Sequence, residues 1–576
     1  MPVSPELLQR FAREWLEREN FPDDIANETA ARLNTLLARL RTLDETRLRD
    51  LLPAMAFNPS AAAYAVPPQT PPVWEPLAQG EGTGYGGRGT TGVEAAPHTP
   101  KPIANDSPEW LWWDATTLAA ALRKGDLRPT EVVEAALARL HALEPTLNAF
   151  VTVTEDQARA AAQRLETALA RGEAGALAGV PVAFKDLFET AGVRTTGGSH
   201  VLADYVPTRD ATAVRRLLAA DAVSLGKTTT HEFAFGPTTD SPYLGPTRNP
   251  WNPDHVPAGS SGGSGAAVAA GIVPLALGTD TGGSVRMPAA ACGVVGLKPT
   301  YGRVSKFGVL PLSWSLDHVG PLARSVADAA LALRLLAGGD PLDPSTVPIP
   351  PDDYQHAVRR GREETLRGLR IGVPTAWLDT RVDPDVRAAF DTALDVLREL
   401  GATVEPADLP PADVMTLVNR LITMGEAGAY HADLLRRFAD QYAPDVRARL
   451  EVAQFITARD YLTGQRLRGE LAREMALVMQ TFDAIATPTM PIPAPRIGQQ
   501  RWRYPDGQEE AVQEAMIRFV APFSVSGQPA LSVPCGFTPH GLPVGLQLVG
   551  RPFEERTILR IGAAYEAATP WHTQHP

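Results

Sequence analysis

Two hydrophobic periods alternate along the chain from about residue 110 onward. Apolar residues recur three and four apart over 116–122, 129–142, 158–171, 211–220 and 384–400, the spacing of a helix that buries one face. Between these lie short runs rich in Val, Ile, Ala and Leu at 148–153, 180–184, 222–225, 369–373 and 403–405, which read as strands. Such alternation predicts an α/β body with a mixed, largely parallel central sheet covered by helices. From 411 to 480 the rhythm gives way to a helical pattern, read as an insert.

The first sixty residues carry a different pattern. Ser4-Pro5 is a cap followed by a first-turn proline, and Leu7, Leu8, Phe11 and Trp15 fall on one helical face. A second helix is predicted from Asp23 or Asp24, with Leu33, Leu36, Leu37 and Leu40 in register, and a third from Asp44, with Leu48, Leu51 and Leu52. A small all-α domain is therefore predicted over 1–60. Its apolar face must pack on the larger body or on a second copy of the chain, which leaves a homodimer open. Residues 61–108, rich in Pro, Gly, Thr and Ala around Gly80–Gly87, have the composition of a linker, with Trp74 and Tyr85 as points that could tack it down. The large domain is then 109–576.

The chemistry concentrates in two glycine- and serine-rich segments and one lysine. The segments are Ala258-Gly-Ser-Ser-Gly-Gly-Ser-Gly265 and Gly278-Thr-Asp-Thr-Gly-Gly-Ser284-Val-Arg286-Met-Pro288; the lysine is Lys185, in Gly179-Val-Pro-Val-Ala-Phe-Lys185-Asp186. A serine hydroxyl becomes a useful nucleophile only when a base takes its proton. A lysine can be that base if burial holds it neutral. A second serine can carry the proton between them, and consecutive N–H groups at Thr281, Gly282, Gly283 and Ser284 can hold the oxyanion formed on attack. Asp280 and Arg286 read as an ion pair that stiffens this loop, Ser261 as a hydrogen-bonding support near Lys185, and Asp186 as a carboxylate turned away into a structural hydrogen bond.

Other readings of the same residues are weaker. A flexible linker would not alternate with apolar runs such as 266–270 and 272–277. The order Gly-x-x-x-x-Gly-Lys-Ser/Thr of a phosphate-cradling loop is missing. Histidines for a Ser–His–Asp triad exist at His200, His231, His255, His318 and His431, but no Gly-x-Ser-x-Gly elbow stands between a strand and a helix.

Taken together, these segments resemble the amidase signature family, whose catalytic unit is a Ser–cis-Ser–Lys triad. The resemblance implies Lys185 as base, Ser260 as the bridging serine preceded by a cis peptide, and Ser284 as nucleophile, with spacings of 75 and 24 residues that agree with the family. Flanking segments match too: Gly226-Lys-Thr228, His231-Glu-Phe233, Gly245-Pro-Thr-Arg-Asn-Pro-Trp251, Cys292–Thr300, Gly527-Gln-Pro-Ala530 and Gly545–Gly550. Ala258 is a departure, since many members carry glycine there. The resemblance runs from about Trp110 to the C-terminus and implies an α/β/α sandwich that hydrolyses carboxylic amides without a cofactor. It also implies that the 411–480 insert helps line the acyl pocket, with Met424, Tyr430, His431, Arg459 and Tyr461 as candidates. Two alternatives stay open: the glutamine-hydrolysing subunit of a tRNA-dependent amidotransferase, and a non-catalytic binding protein on the same fold. Pro311-Leu-Ser-Trp-Ser-Leu-Asp317 looks more like free-standing amidases.

Composition narrows the rest. With 54 Lys and Arg against 66 Asp and Glu the net charge is −12, which argues against nonspecific binding to nucleic acid or an anionic membrane; the small-molecule amide expected as partner is what the family resemblance implies. Cys292 and Cys535 cannot build a disulfide framework, and no Cys, His and Asp cluster has metal-ligand spacing, so no metal is expected. No secretory signal or eighteen-residue apolar run is evident, and a cytoplasmic location is expected by elimination.

Overall fold

The computed structural model describes residues 108–379 and 381–576, together with Ala31, Asn34 and Thr35. The helices expected over 1–60, apart from those three helical positions, and the linker at 61–108, apart from Pro108, lie outside the described residues.

An eleven-stranded sheet organises the described residues. Its strands are β1 (Phe150–Val153), β2 (Pro181–Lys185), β3 (Val223–Thr228), β4 (Leu275–Asp280), β5 (Val295–Lys298), β6 (His318–Ala323), β7 (Arg370–Val373), β8 (Thr403–Pro406), β9 (Ala484–Pro488), β10 (Ala530–Phe537) and β11 (Pro543–Val549). Their order across the sheet is β1-β3-β2-β4-β6-β5-β10-β11-β9-β7-β8. The sheet is mixed, as expected, but the expectation of a largely parallel one is corrected. Parallel pairing is confined to two blocks, β3-β2-β4 and β9-β7-β8. The centre, from β4 through β6, β5 and β10 to β11 and β9, is antiparallel throughout, and so is the edge pair β1-β3. Hydrophobicity reports burial of both faces and not the direction of the neighbouring strand.

Side-chain alternation shows why both faces are apolar. Val182 and Phe184 of β2 and Leu275 and Leu277 of β4 join one buried cluster, with Ala329 and Leu333 of the helix at 326–336. The intervening Ala183 and Ala276 join another, with Val133 and Leu137 of the helix at 129–147 and Ala266 and Ala267 of helix α1 (Gly262–Ala269). Helices start where the sequence provides caps. The Asp114 side chain accepts from Thr117 N at 2.8 Å to begin the helix at 115–124, and Asp383 with Pro384 begins the one at 384–399. The insert is three helices: α2 (Ala412–Phe438), 444–453, and α3 (Ala458–Val478), which opens on a Thr457/Asp460 capping box.

Leu277 is fully buried between the sheet and its covering helices. Leu277→Ala is expected to lower stability by about 3 kcal/mol, read as a fall in the urea midpoint.

Candidate active site

Two adjacent strand ends and two loops converge on one buried spot. Strand β2 delivers Lys185, β4 ends in Thr279 and Asp280, and the loop before α1 carries Ser260 and Ser261. Lys185 Nζ donates to Ser260 Oγ at 2.7 Å and to Thr279 Oγ1 at 2.8 Å, and the side chain has no solvent exposure. Burial pushes its pKa well below the ordinary lysine value, against the opposing pull of Asp317 and Asp280. Asp186, its neighbour in sequence, does point away. Its carboxylate accepts from Thr196 N at 2.9 Å and from Thr196 Oγ1, and lies 3.7 Å from Lys227 Nζ. Lys185 is thus left with hydroxyls and without a contacting carboxylate, the environment in which a lysine can be a neutral base.

The peptide before Ser260 is cis. Ser260 O accepts from His231 N at 3.1 Å, and Ser261 N donates to Ser284 O at 3.3 Å, which ties the two serine segments together. Ser261 Oγ donates to Thr279 O at 3.2 Å, beside the lysine, and Gly278 is needed here because a Cβ would lie 2.7 Å from that hydroxyl.

Ser284 sits on the turn between β4 and the short helix at 286–292, buried but not sealed at 7% exposure. Asp280 holds this turn. Its carboxylate accepts from Gly283 N at 2.8 Å and Val285 N at 3.2 Å, and from Arg286 Nε and Nη2 at 2.9 and 2.8 Å. Burial alone would raise the Asp280 pKa, but the Arg286 charge and hydrogen bonds, with Lys298 and His318, carry it below the usual carboxylate range. Arg286 in turn reaches Val520 O, Gln547 Oε1 and Ser524 Oγ at 2.9, 2.7 and 3.0 Å. Gly283 adopts φ +126°, and a Cβ there would come within 2.3 Å of Val520. One refinement follows for the expected oxyanion donors: the Gly283 N–H is committed to Asp280, which leaves those of Thr281, Gly282 and Ser284.

The structure draws further side chains around this turn. Thr281 Oγ1 donates to Asp317 at 2.6 Å, and Asp317, its pKa pushed up to about 6 by burial, accepts from the N–H groups of Leu312 and Ser313. Asn419 of α2 donates from Nδ2 to Thr281 O at 3.0 Å. His318 receives Lys298 Nζ at 3.2 Å and meets Asp280 O through Nδ1 at 3.0 Å, so it braces the turn. Nothing in the sequence marks Asn419, which is one polar residue in a long insert helix.

The five expected pocket residues separate. Tyr461 OH donates to Glu426, which also accepts from the Ser313 and Ser315 hydroxyls and from Ser315 N, so Tyr461 belongs to the wall built with the 313–315 segment. Tyr430, half-buried, lies four residues beyond Glu426 on the same face of α2. Met424 packs in an apolar cluster with Leu187 and Leu312. His431 is fully buried, with Nδ1 against Tyr442 OH at 2.9 Å and its ring edge-on to Phe233; burial pushes its pKa down to about 3. Arg459 is exposed on the first turn of α3. His431 is thus a core residue and Arg459 a surface one, because helical spacing within an insert buried on several sides does not say which face meets the site.

With this geometry in place, comparison with known proteins gives a single family. Residues 131–559 match the family described as Amidase. The chain belongs to the amidase family. An amidase of Pseudomonas putida is 45% identical over 460 residues, covering 80% of this chain and 96% of its own. The A subunit of the glutamyl-tRNA(Gln) amidotransferase of Roseiflexus sp. (strain RS-1) is 42% identical over 479 residues, covering 79% of this chain and 96% of its own. A bacterial aryl acylamidase of the amidase signature family superposes with a TM-score of 0.74 at 31% identity, covering 80% of this chain and 97% of that one. The α/β body is therefore an amidase fold. Among its described residues no helix is long and apolar enough to cross a membrane, and no three His, Cys, Asp or Glu side chains are grouped to hold a metal ion.

Removing Arg286 would strand the Asp280 carboxylate in the interior of this amidase. Arg286→Met is expected to cost about 3–5 kcal/mol in chemical denaturation, with turnover lost as the Ser284 turn loosens.

Proposed function

We propose that this amidase hydrolyses a linear, non-peptide carboxylic amide to a carboxylate and ammonia or an amine, through an acyl-enzyme on Ser284. The observation that carries the reading is the fully buried Lys185 Nζ, 2.7 Å from Ser260 Oγ and free of carboxylate contact. Neutral Lys185 takes the Ser260 proton while Ser260 takes that of Ser284, and Ser284 Oγ bonds to the amide carbon. The carbonyl oxygen becomes an oxyanion facing the N–H groups of Thr281, Gly282 and Ser284. The C–N bond then breaks, and the proton returns along the same relay to the departing nitrogen. Water attacks the Ser284 ester, giving its proton to the relay, and the carboxylate leaves with Ser284 restored. A small-molecule substrate and a cytoplasmic setting accompany this reading.

The similarity to an amidotransferase A subunit supports a second reading, in which the chain releases ammonia from glutamine as one subunit of a tRNA-dependent amidotransferase. It requires strict glutamine dependence together with a partner chain. The Pro311–Asp317 segment, which looks more like that of free-standing amidases, favours the first reading.

A panel of aliphatic, aryl and amino-acid amides, glutamine included, separates the two. Ser284→Ala is expected to lower kcat by about 10⁴–10⁶-fold on whichever amide is cleaved, with acyl-enzyme absent by mass spectrometry; turnover that survives would remove Ser284 as nucleophile. Lys185→Arg puts a permanent charge where the neutral lysine stood and supplies no base, and is expected to be as inactive as Lys185→Ala. Because burial lowers the Lys185 pKa, the neutral base is present at neutral pH. kcat/KM should rise with pH through that lowered pKa and then level off, well below the pH at which an ordinary lysine titrates. A rise delayed to about pH 10, the range of an unperturbed lysine, would contradict the assignment.

A further inference from the structure

Helix α2 turns a polar file toward the nucleophile loop, and its hydrogen bonds do not exhaust that file. Thr416, Asn419, Thr423 and Glu426 follow at spacings of three and four, hence on one face, and their exposures are only 8%, 6%, 7% and 1%. Two members fix the direction in which the file points. Asn419 Nδ2 donates to Thr281 O at 3.0 Å, and its Oδ1 stands over Gly282, where a Cβ would come within 3.0 Å. Glu426, two turns on, accepts from Ser313 Oγ, Ser315 N, Ser315 Oγ and Tyr461 OH.

The other two members are unsatisfied. Thr423 lies between Asn419 and Glu426, and Thr416 one turn before Asn419; neither Oγ1 has a hydrogen-bond partner among the described residues. A buried hydroxyl without a partner has given up its hydration for nothing. A helix also offers threonine an easy remedy, the carbonyl four residues back, which neither residue takes. Partly exposed Gly282, at the near edge of this face, marks where the wall opens beside the nucleophile turn.

We propose that Thr416 and Thr423 form a hydrogen-bonding wall of the acyl pocket, which selects amides whose acyl chain carries a neutral polar group such as a second carboxamide, carbonyl or hydroxyl. The assignment to the acyl side rests on the Ser284 hydrolase reading given above. The group is neutral because Glu426, the charged member of the file, already accepts four hydrogen bonds, which fills the usual capacity of a carboxylate. What remains to meet the substrate is hydroxyl, able to donate or accept. A site built to hydrogen-bond a substrate discriminates strongly against an isostere that lacks the partner atom, because the site's own polar groups are then left unpaired.

The test uses binding, so that it does not depend on turnover. Full-length Ser284→Ala is titrated calorimetrically with propanediamide, butanediamide and pentanediamide, each paired with the amide in which an isopropyl group replaces the far carboxamide. At one chain length the diamide is expected to bind at least about tenfold more tightly. Adding Thr416→Val and Thr423→Val should bring the pair to within about twofold, while Thr423→Ser keeps the preference. Melting temperatures of the valine variants should hold or rise, since a hydroxyl without an internal partner stabilises nothing. Equal binding of every pair, a preference that survives both valines, or a marked fall in melting temperature would overturn the proposal. Wild-type turnover of the same amides reports separately on the hydrolase reading: a diamide bound with the expected preference but never cleaved would sink that reading and leave the wall standing.

Discussion

The buried Asp280–Arg286 pair is the constraint on which the site depends. Two fully enclosed charges are costly to desolvate, and they persist here because nearly every polar atom of both groups is used. One carboxylate gathers the N–H groups of Gly283 and Val285 as well as the guanidinium, and the guanidinium extends the hold to the C-terminal strands through Gln547 and to the 520–524 segment. The outcome is a rigid turn. A nucleophile and its oxyanion donors gain from such rigidity because little has to be reorganised when charge develops.

The lysine half of the site shows a complementary logic. Burial without a contacting carboxylate would be an error in an ordinary core, yet at Lys185 it is what sets the proton affinity. The chain keeps the nearest carboxylate away by giving it other work: Asp186 is engaged by Thr196 and by a second buried lysine, Lys227. Two lysines on neighbouring strands β2 and β3 therefore lie in different environments, one beside hydroxyls and one beside a carboxylate. The Lys227 pKa falls only to about 8, because Asp186 offsets part of its desolvation. Environment, more than residue type, assigns their roles.

Much of this was legible in the sequence, and the reasons for the rest are physical. Lys185, Ser260, Ser284, Asp280 and Arg286 stand out because glycine and serine cluster around them where an apolar core would otherwise continue. The strand and helix positions around them also agree with the pattern, as at Pro181–Lys185 and Pro384–Glu399. The antiparallel centre was not legible, since β5, β6, β10 and β11 are apolar on both faces whichever way their neighbours run. Nor was the working face of α2. Met415, Val418, Leu421 and Ile422 are as buried as Asn419 and Glu426, so the helix has no dry and wet sides to compare. Helical spacing therefore does not separate Tyr430 from His431, which is buried against Tyr442 and Phe233. Only the loop contacts of Asn419 and Glu426 show which side meets the site.

The span of the Arg286 contacts has a consequence for biosynthesis. Its partner Gln547 lies 261 residues further along the chain, on a strand near the C-terminus. During synthesis the lysine, both serines and Asp280 all emerge long before the groups that immobilise their turn. A ribosome-bound chain ending short of β11 thus holds Lys185, Ser260, Asp280 and Ser284 but lacks Gln547, so the brace of their turn is complete only once the last strands have folded.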